Sequence, residues 1–361
     1  MNTTSYFSSN YALQRQRFLD QATKAQLSVE SHLHPLRGRE GEELAMDVAR
    51  LGPAGSQHML IITSGTHGLE GFSGSGIQLA LMDDPEFHAL ATASGVSILY
   101  VHGVNPWGFS WYHRWTHENV DLNRNFLDFS DSSITNEGFR YPEIADFIVP
   151  ANWPDAQADE QMATWIAAND MAALIQAVTG GQRSHPDGLF FCGNQPTWSN
   201  QTFRHVLRTH AAGCTQAAII DLHTGLGPCG HGERIVAPQD DRAHARVKAW
   251  WGNVTSVADG SSSSAKVSGY LCGALDEEIP GAEVTAMVLE FGTVPMPEVL
   301  DALRADQWLI RQTDPDPVKA DAIKQQVLAA FYVDTDEWKQ QLVEQAIEAS
   351  HQAARGLAGG L

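Results

Sequence analysis

The chain has 361 residues, 43% of them hydrophobic and 18% charged, which is ample material for a large core and excludes a disordered or fibrous chain. Acids outnumber bases by 43 to 23, giving a formal charge of -20. That field repels phosphate backbones and argues against a sequence-independent nucleic-acid binder. No stretch reaches the roughly 18 apolar residues of a bilayer span, and no basic start followed by an apolar run suggests a secretory signal. The cysteines Cys192, Cys214, Cys229 and Cys272 form no CxxC pair and are expected as reduced thiols of a cytoplasmic protein.

In chain order, residues 9–26 are predicted helical, because Tyr11, Phe18 and Ala22 recur on one face. Alternation through Leu27, Val29, Ser31 and Leu33, then through Leu44, Met46 and Val48, predicts two half-buried antiparallel strands around a turn at Leu36-Arg37-Gly38. After the break at Gly52-Pro53-Ala54-Gly55, short apolar runs at 59–63, 97–102, 217–222 and 285–291 have the character of strands covered on both faces. Helices are predicted between them, for example over 75–82 and 198–211. The region at about 126–194 begins rich in Pro, Asp and Ser, is predicted helical over 159–178, and reads as an excursion whose loops can rim a site.

After Phe291, helices are predicted over 297–312, 317–332 and 335–355, a helical C-terminal segment at about 297–356. Asp316 is expected to cap the helix that opens with Pro317, and Asp334 with Glu337 to form a capping box. With no repeat and no sharp change in composition, residues 1–361 are expected to form one α/β domain. Its predicted core is a mixed, mostly parallel twisted sheet with helices on both faces.

Four segments carry chemistry. Ser64-Gly65-Thr66-His67-Gly68-Leu69-Glu70-Gly71 follows a buried strand and offers an imidazole and a carboxylate that can converge on one cation. Zinc accepts such ligands at about 2.0–2.2 Å, and three protein ligands with one open position make a catalytic site. Asp221-Leu222-His223-Thr224-Gly225 ends another strand. Its two-residue period puts Asp221 and His223 on one face, with His223 as a third ligand and Asp221 as a hydrogen-bond acceptor behind it. The third segment runs from Asn105-Pro106-Trp107-Gly108 through His113-Arg114 to Asp121-Leu122-Asn123-Arg124-Asn125. The fourth, Val288-Leu289-Glu290-Phe291-Gly292-Thr293, places a Glu inside an apolar strand, a costly position unless it is paired or functional. Burial raises such a carboxyl toward neutrality, as a general base requires.

These landmarks, HxxE, NRN, a strand-end His and a buried Glu in that order, resemble the zinc carboxypeptidases and their relatives, the succinylglutamate desuccinylase and aspartoacylase group. His67-Gly68-Leu69-Glu70 looks more like the desuccinylase side. The stretches GTHGLEGFSGS, NPWGFSWYHRWTHENVDLNRNF and HPDGLFFCGN look like a little-characterised bacterial branch of that superfamily, and the resemblance extends from the first strands to Thr293 at least.

The resemblance implies one zinc ion held by His67, Glu70 and His223, Asp121 orienting the first imidazole, and Glu290 as catalytic base. It implies that Asn123 and Arg124 grip a substrate carboxylate, that Arg114 stabilises the oxyanion, and that Tyr270 lies over the substrate. The implied activity is zinc-dependent hydrolysis of a small peptide next to its free carboxylate. The alternative is an N-acyl amino acid deacylase; members of that group often carry a C-terminal β-rich domain, whereas the segment after Phe291 is predicted helical here, which favours a more open, peptidase-like site. Because the chain is so acidic, an anionic substrate requires a locally basic pocket.

A non-catalytic binding protein on the same scaffold would be expected to have lost a ligand or the base, and neither is missing. A serine nucleophile elbow needs G-x-S-x-G, and Gly71-Phe72-Ser73-Gly74-Ser75 ends in Ser instead. No G-x-G-x-x-G follows a strand, so no dinucleotide site is expected. His32 and His34 lie outside the motifs and suggest no second metal by themselves. No membrane or nucleic-acid partner is expected, and nothing in the sequence specifies an oligomeric state.

Overall fold

The computed structural model describes residues 3–131, 140–237 and 240–359. Its eight-stranded sheet comprises β1 (Ser28–Arg37), β2 (Glu43–Leu51), β3 (His58–Thr63), β4 (Val96–His102), β5 (Gln216–Cys229), β6 (Gly232–Val236), β7 (Thr255–Ser256) and β8 (Glu283–Gly292). The spatial order is β1-β2-β4-β3-β5-β8-β6-β7. The central strands β4, β3, β5 and β8 are parallel, while β1/β2, β2/β4 and β6/β8 pair antiparallel. This is the mixed, mostly parallel α/β sheet that the sequence predicts. Every residue of β4 is buried, as are all but the first of β3, the expected condition of strands covered on both faces.

Strand periodicity divides the core. Leu60, Ile62, Ala218, Ile220, Leu222, Met287, Leu289 and Phe291 join one apolar cluster, with the helices Gly71–Met82 and Asp336–Leu357. Their neighbours Met59, Ile61, Ala217, Ile219, Val284 and Ala286 join a second, with Phe203, Val206 and Leu207 of the helix Trp198–His210. Thr63, Asp221, His223 and Glu290 continue the second set by the same alternation. They lie at or near the carboxyl ends of adjacent parallel strands, the place where open α/β sheets form their ligand crevices.

Several boundaries differ from the sequence reading for identifiable reasons. The helix expected over 159–178 is two, Ala156–Asn169 and Met171–Thr179, because Asp170 takes φ 82° and caps the second by accepting from the Ala173 N–H. The helix Pro317–Phe331 begins as expected, with Asp316 accepting from Val318 and Lys319. The last helix is capped by Thr335, which accepts from the Trp338 N–H, and not by Asp334. The helices Pro85–Ala93 and Asp241–Trp251 and the short strands β6 and β7 have no counterpart in the sequence reading. Residues 132–139 of the excursion lie outside the described residues. Among the described residues, no helix is long and apolar enough to cross a membrane.

A buried imidazole makes this fold acid-sensitive. His102, at the end of β4, is fully buried and stacks on Phe18 at 4.4 Å, with neither ring nitrogen hydrogen-bonded. Burial pushes its pKa down to about 4, although Asp47 lies 3.8 Å from Nδ1. The unfolded imidazole titrates near 6.5, so the unfolded chain takes the proton first; stability is complete above that value and is lost as pH falls toward 4. At about pH 5 this one group costs roughly 2 kcal/mol. His102→Phe keeps an aromatic stack and is expected to cancel that share of the loss, read from urea midpoints at about pH 7.5 and about pH 5. An equal fall in both proteins would assign the acid sensitivity elsewhere.

Candidate metal centre

The first loop after β3 turns at Gly65, φ 68°, and delivers His67 and then the 3₁₀ turn Gly68–Glu70. Gly68 is required by packing: a Cβ there would lie 2.1 Å from the Gly108 carbonyl carbon and 2.3 Å from the Phe109 nitrogen. The backbone of Pro106–Trp111 therefore seats directly against the HxxE turn. Gly68 N–H donates to the Arg114 carbonyl and Leu69 N–H to that of His113, so the third motif is bonded to the first.

His67 Nδ1 lies 3.0 Å from Glu70 Oε1, His223 Nδ1 lies 3.0 Å from Glu70 Oε2, and the two Nδ1 atoms are 3.2 Å apart. The opposite ring nitrogens face carboxylates: His67 Nε2 is 3.3 Å from Asp121 Oδ1, and His223 Nε2 is 2.7 Å from Asp221 Oδ2. Asp221 is held in turn by the hydroxyls of Thr63 and Thr66, which donate to Oδ1 at 2.6 and 2.8 Å. With each Nε2–H given to a carboxylate, two imidazole lone pairs and an ionised carboxylate converge at a buried point. Such a donor set suits a divalent cation, and carboxylates behind the imidazoles fix the tautomer that a metal requires.

Charge compensation follows the same logic. Burial by itself raises the Glu70 pKa, but when His67 and His223 carry protons on the Nδ1 atoms, in place of an ion, their charge more than offsets it and holds the carboxyl well below its usual range. Asp121 is likewise held down, against burial, by His67, Arg124 and Arg114. Glu290 behaves oppositely: burial, then the nearby Glu70 charge, push its pKa up to about 7. It stands in register with His223 across the β5/β8 pair and accepts the Leu226 N–H at 3.0 Å through Oε1. Gly225, φ 149°, lets the chain bend here; a Cβ would meet Glu290 Oε1 at 3.4 Å and the Phe331 ring at 3.1 Å.

The remaining expected residues gather around this centre with more engagements than foreseen. Arg114 donates to Glu70 Oε1 at 2.8 Å and approaches His67 Nε2 at 3.0 Å, with its guanidinium carbon 5.3 and 5.7 Å from the rings of Phe190 and Phe331. Asn123 places Nδ2 3.2 Å from His223 Nε2 and accepts the Leu271 N–H through Oδ1. Arg124 lies over Phe190, and its fork donates to the carbonyls of Thr179 and Asn123. The structure thus brings Asn123 and Arg124 to the centre, but Asn123 Oδ1 and the Arg124 fork already hold protein partners, while Asn123 Nδ2 faces a ring nitrogen that carries its own proton in this tautomer. Tyr270 is half-buried on the wall of the adjoining cavity.

That cavity measures about 660 Å³ and opens over His67, His223 and Glu290. Its walls are mainly aliphatic, with Ile166, Leu174 and Val178 from the excursion facing Ile235, Leu300 and Leu303. Arg114, Arg124 and Lys266 share the lining with Glu290 and Asp301, so the pocket is mainly apolar with a small local excess of basic groups in an otherwise acidic chain. Two further residues support the cavity: Glu233, expected with His231 and Arg234 to line the pocket, braces its wall from behind, and Asp306 went unread in the sequence. Glu233, directly across from Glu290 on β6, accepts from Thr255, Ser263 N–H and the Ser263 hydroxyl, and so clamps the 257–267 loop that lines the cavity. Asp306, from the helix Met296–Ile310, joins His113 to Lys324 beneath Arg114. Sequence separation hides both partnerships.

The chain matches, over residues 7–345, the model of a family described as a protein of unknown function (DUF2817), and it belongs to that family. No curated protein matches it. Among solved structures, thrombin activatable fibrinolysis inhibitor is 11% identical, with a TM-score of 0.54 over 98% of this chain and 78% of that one. The bovine thrombin-activatable fibrinolysis inhibitor, solved with tick carboxypeptidase inhibitor, is 10% identical, covers 99% of both chains and has a TM-score of 0.50. Carboxypeptidase A from Helicoverpa armigera is 13% identical over 94% of this chain and 74% of that one, with a TM-score of 0.42. At these identities the likeness is one of fold, and the fold is carboxypeptidase-like.

Asp221 gives a test of the donor set. Asp221→Asn keeps the shape but removes the charge that fixes the His223 tautomer. It is expected to weaken zinc binding by about 10–100-fold, measured by competition with a chromophoric chelator, while far-UV circular dichroism stays unchanged. Unaltered affinity would mean that His223 is not a ligand.

Proposed function

We propose that this member of the DUF2817 family is a zinc-dependent amide hydrolase of the metallocarboxypeptidase type, cleaving a small substrate beside a free carboxylate and seating a large apolar group in the cavity. The observation that carries the proposal is the convergence of two imidazole Nδ1 atoms and the Glu70 carboxylate, with Glu290 in register beside them.

His67, Glu70 and His223 would hold the ion, and bound zinc would supply Lewis-acid polarisation of the scissile carbonyl and acidification of water. Glu290 is the proton carrier. A carboxyl with a pKa near 7 can take a proton from the attacking water and return it to the leaving nitrogen at neutral pH. Its Leu226 hydrogen bond leaves Oε2 to serve the reacting groups. Arg114, which lies against the rings of Phe190 and Phe331 and now donates to Glu70, would stabilise the negative charge that develops on the carbonyl oxygen. Asn123 and Arg124 would position the substrate carboxylate after exchanging one of their present partners for it, and Tyr270 would close the wall beside it.

A second reading draws on the size of the cavity. About 660 Å³ falls within the roughly 300–1,000 Å³ of pockets that enclose whole small ligands, which is more than one side chain needs. An N-acyl amino acid with an apolar acyl chain, the substrate of a deacylase of the desuccinylase and aspartoacylase type, also fits that space.

The zinc-loaded protein is to be assayed on dipeptides with apolar C-terminal residues and on N-acyl amino acids of increasing acyl length. Turnover on the first set favours the peptidase, and turnover on the second the deacylase. Glu290→Gln is expected to lower kcat by about 10²–10⁴-fold while retaining its zinc by elemental analysis. No turnover on either panel, or normal turnover by Glu290→Gln, would refute the hydrolase.

A further inference from the structure

A second cluster of potential metal-binding side chains lies at the β1 edge of the sheet. Glu30 and His32 are two residues apart on the edge strand β1 and therefore share a face. Their β2 partners, Val48 and Met46, belong to the apolar cluster on which Trp198–His210 packs through Phe203, Val206 and Leu207. That packing sets the flank of the helix against the edge strand and brings His205 and His210 to Glu30 and His32.

His32 Nε2 is 3.3 Å from Glu30 Oε1, and His210 Nε2 is 3.1 Å from Glu30 Oε2. The rings of His32 and His205 meet edge-on with centroids 5.7 Å apart. One potential ligand atom from each of Glu30, His32 and His205 falls within 4.8 Å of the others. His32 Nε2 is buried yet hydrogen-bonded to nothing, which is a costly state for a ring nitrogen. A cavity of about 380 Å³, lined by His32, His205, Trp198 and Gln201, adjoins the cluster and leaves room for water on an ion.

From this geometry we infer a second divalent-metal site, with Glu30, His32 and His205 as ligands and His210 bracing Glu30. Two imidazoles and one carboxylate suit a borderline ion such as zinc better than calcium or magnesium, which prefer all-oxygen shells. Closing 4.8 Å to coordination spacing requires only the exposed Glu30 and His205 side chains to turn.

The ion would pin the edge strand to Trp198–His210, whose own start is bonded to the NRN segment. Asn200 Nδ2 donates to the Asn125 carbonyl, and the Thr197 N–H donates to Asn125 Oδ1. The site shares no residue with His67, Glu70 and His223, so it stands whether or not the hydrolase reading does. His34 does not join it, since its Nδ1 accepts the Leu36 N–H and its ring packs on Trp198.

The full chain is to be dialysed against a zinc buffer at micromolar free ion, and bound zinc counted per chain in wild type, His205→Ala and Glu30→Gln. A loss of one ion in both variants supports the site, whether the wild type holds two ions or only this one. Added zinc should also raise the melting temperature of wild type more than that of either variant. Equal zinc content in all three proteins would overturn it. Circular dichroism of the variants confirms folding, and both altered side chains are exposed, so neither should disturb the core.

Discussion

Three lone-pair-bearing groups within about 3 Å of one another, each with a buried carboxylate or strand behind it, are the constraint around which this molecule is organised. Left without a cation, two facing Nδ1 atoms and a carboxylate would repel unless a proton bridged them. The fold spends considerable polar material on holding them in that attitude: Asp121 behind one ring, Asp221 behind the other, two threonine hydroxyls behind Asp221. Burying so many charges is unfavourable by itself. Their retention in one place, inside a sheet otherwise built of aliphatic residues, is the mark of chemistry rather than of stability.

The sheet turns that constraint into geometry. Parallel pairing puts Thr63 beside Asp221, and Asp221 two residues before His223, while the next strand brings Glu290 level with His223. A slip of one residue in β8 would turn Glu290 to the opposite face, among Leu289 and Phe291. The apolar residues that alternate with the site residues therefore set its register. In this sense the large core cluster on the far face, which touches no part of the cavity wall directly through Leu289, Met287 or Ile220, still fixes where Glu290 stands.

The parts of this arrangement legible in sequence are those written locally. Central strands show as short apolar runs, the candidate metal ligands stand near glycines at or just after strand ends, and Glu290 stands out as a charge in an apolar strand. What could not be read is pairing across long separations. Arg124 carries the planar fork suited to a carboxylate, but only the fold reveals that Thr179, in the excursion, already accepts from it. The expected local excess of basic groups is small, Arg114, Arg124 and Lys266 against Glu290 and Asp301, and what could not be read is that most of the wall is aliphatic and drawn from four separate parts of the chain. His32 seemed isolated because its nearest acid, Glu30, is two residues away on a strand and its imidazole partners are on a helix far along the sequence. Asp170 could be seen as a helix breaker only through its left-handed backbone, since flanking residues keep helical character.

Under the proposed function, the apolar cavity would also resolve the tension between an acidic chain and an anionic substrate. With a formal charge of -20, long-range attraction cannot gather carboxylates to the site. A deep aliphatic chamber offers another source of binding energy, about 25 cal/mol for each Å² of apolar surface removed from water, which salt and net charge leave nearly untouched. Held by that remote contact, the proposed substrate would bring its carboxylate to Arg124 and its amide to Glu290 against an unfavourable field, meeting the local cation beside Phe190 only at the last step. The walls come from the excursion, from the loop clamped by Glu233 and from the helix Met296–Ile310, all outside the metal-binding motifs. Selectivity and chemistry are therefore encoded in different segments, so the apolar walls can change while His67, Glu70, His223 and Glu290 stay in place.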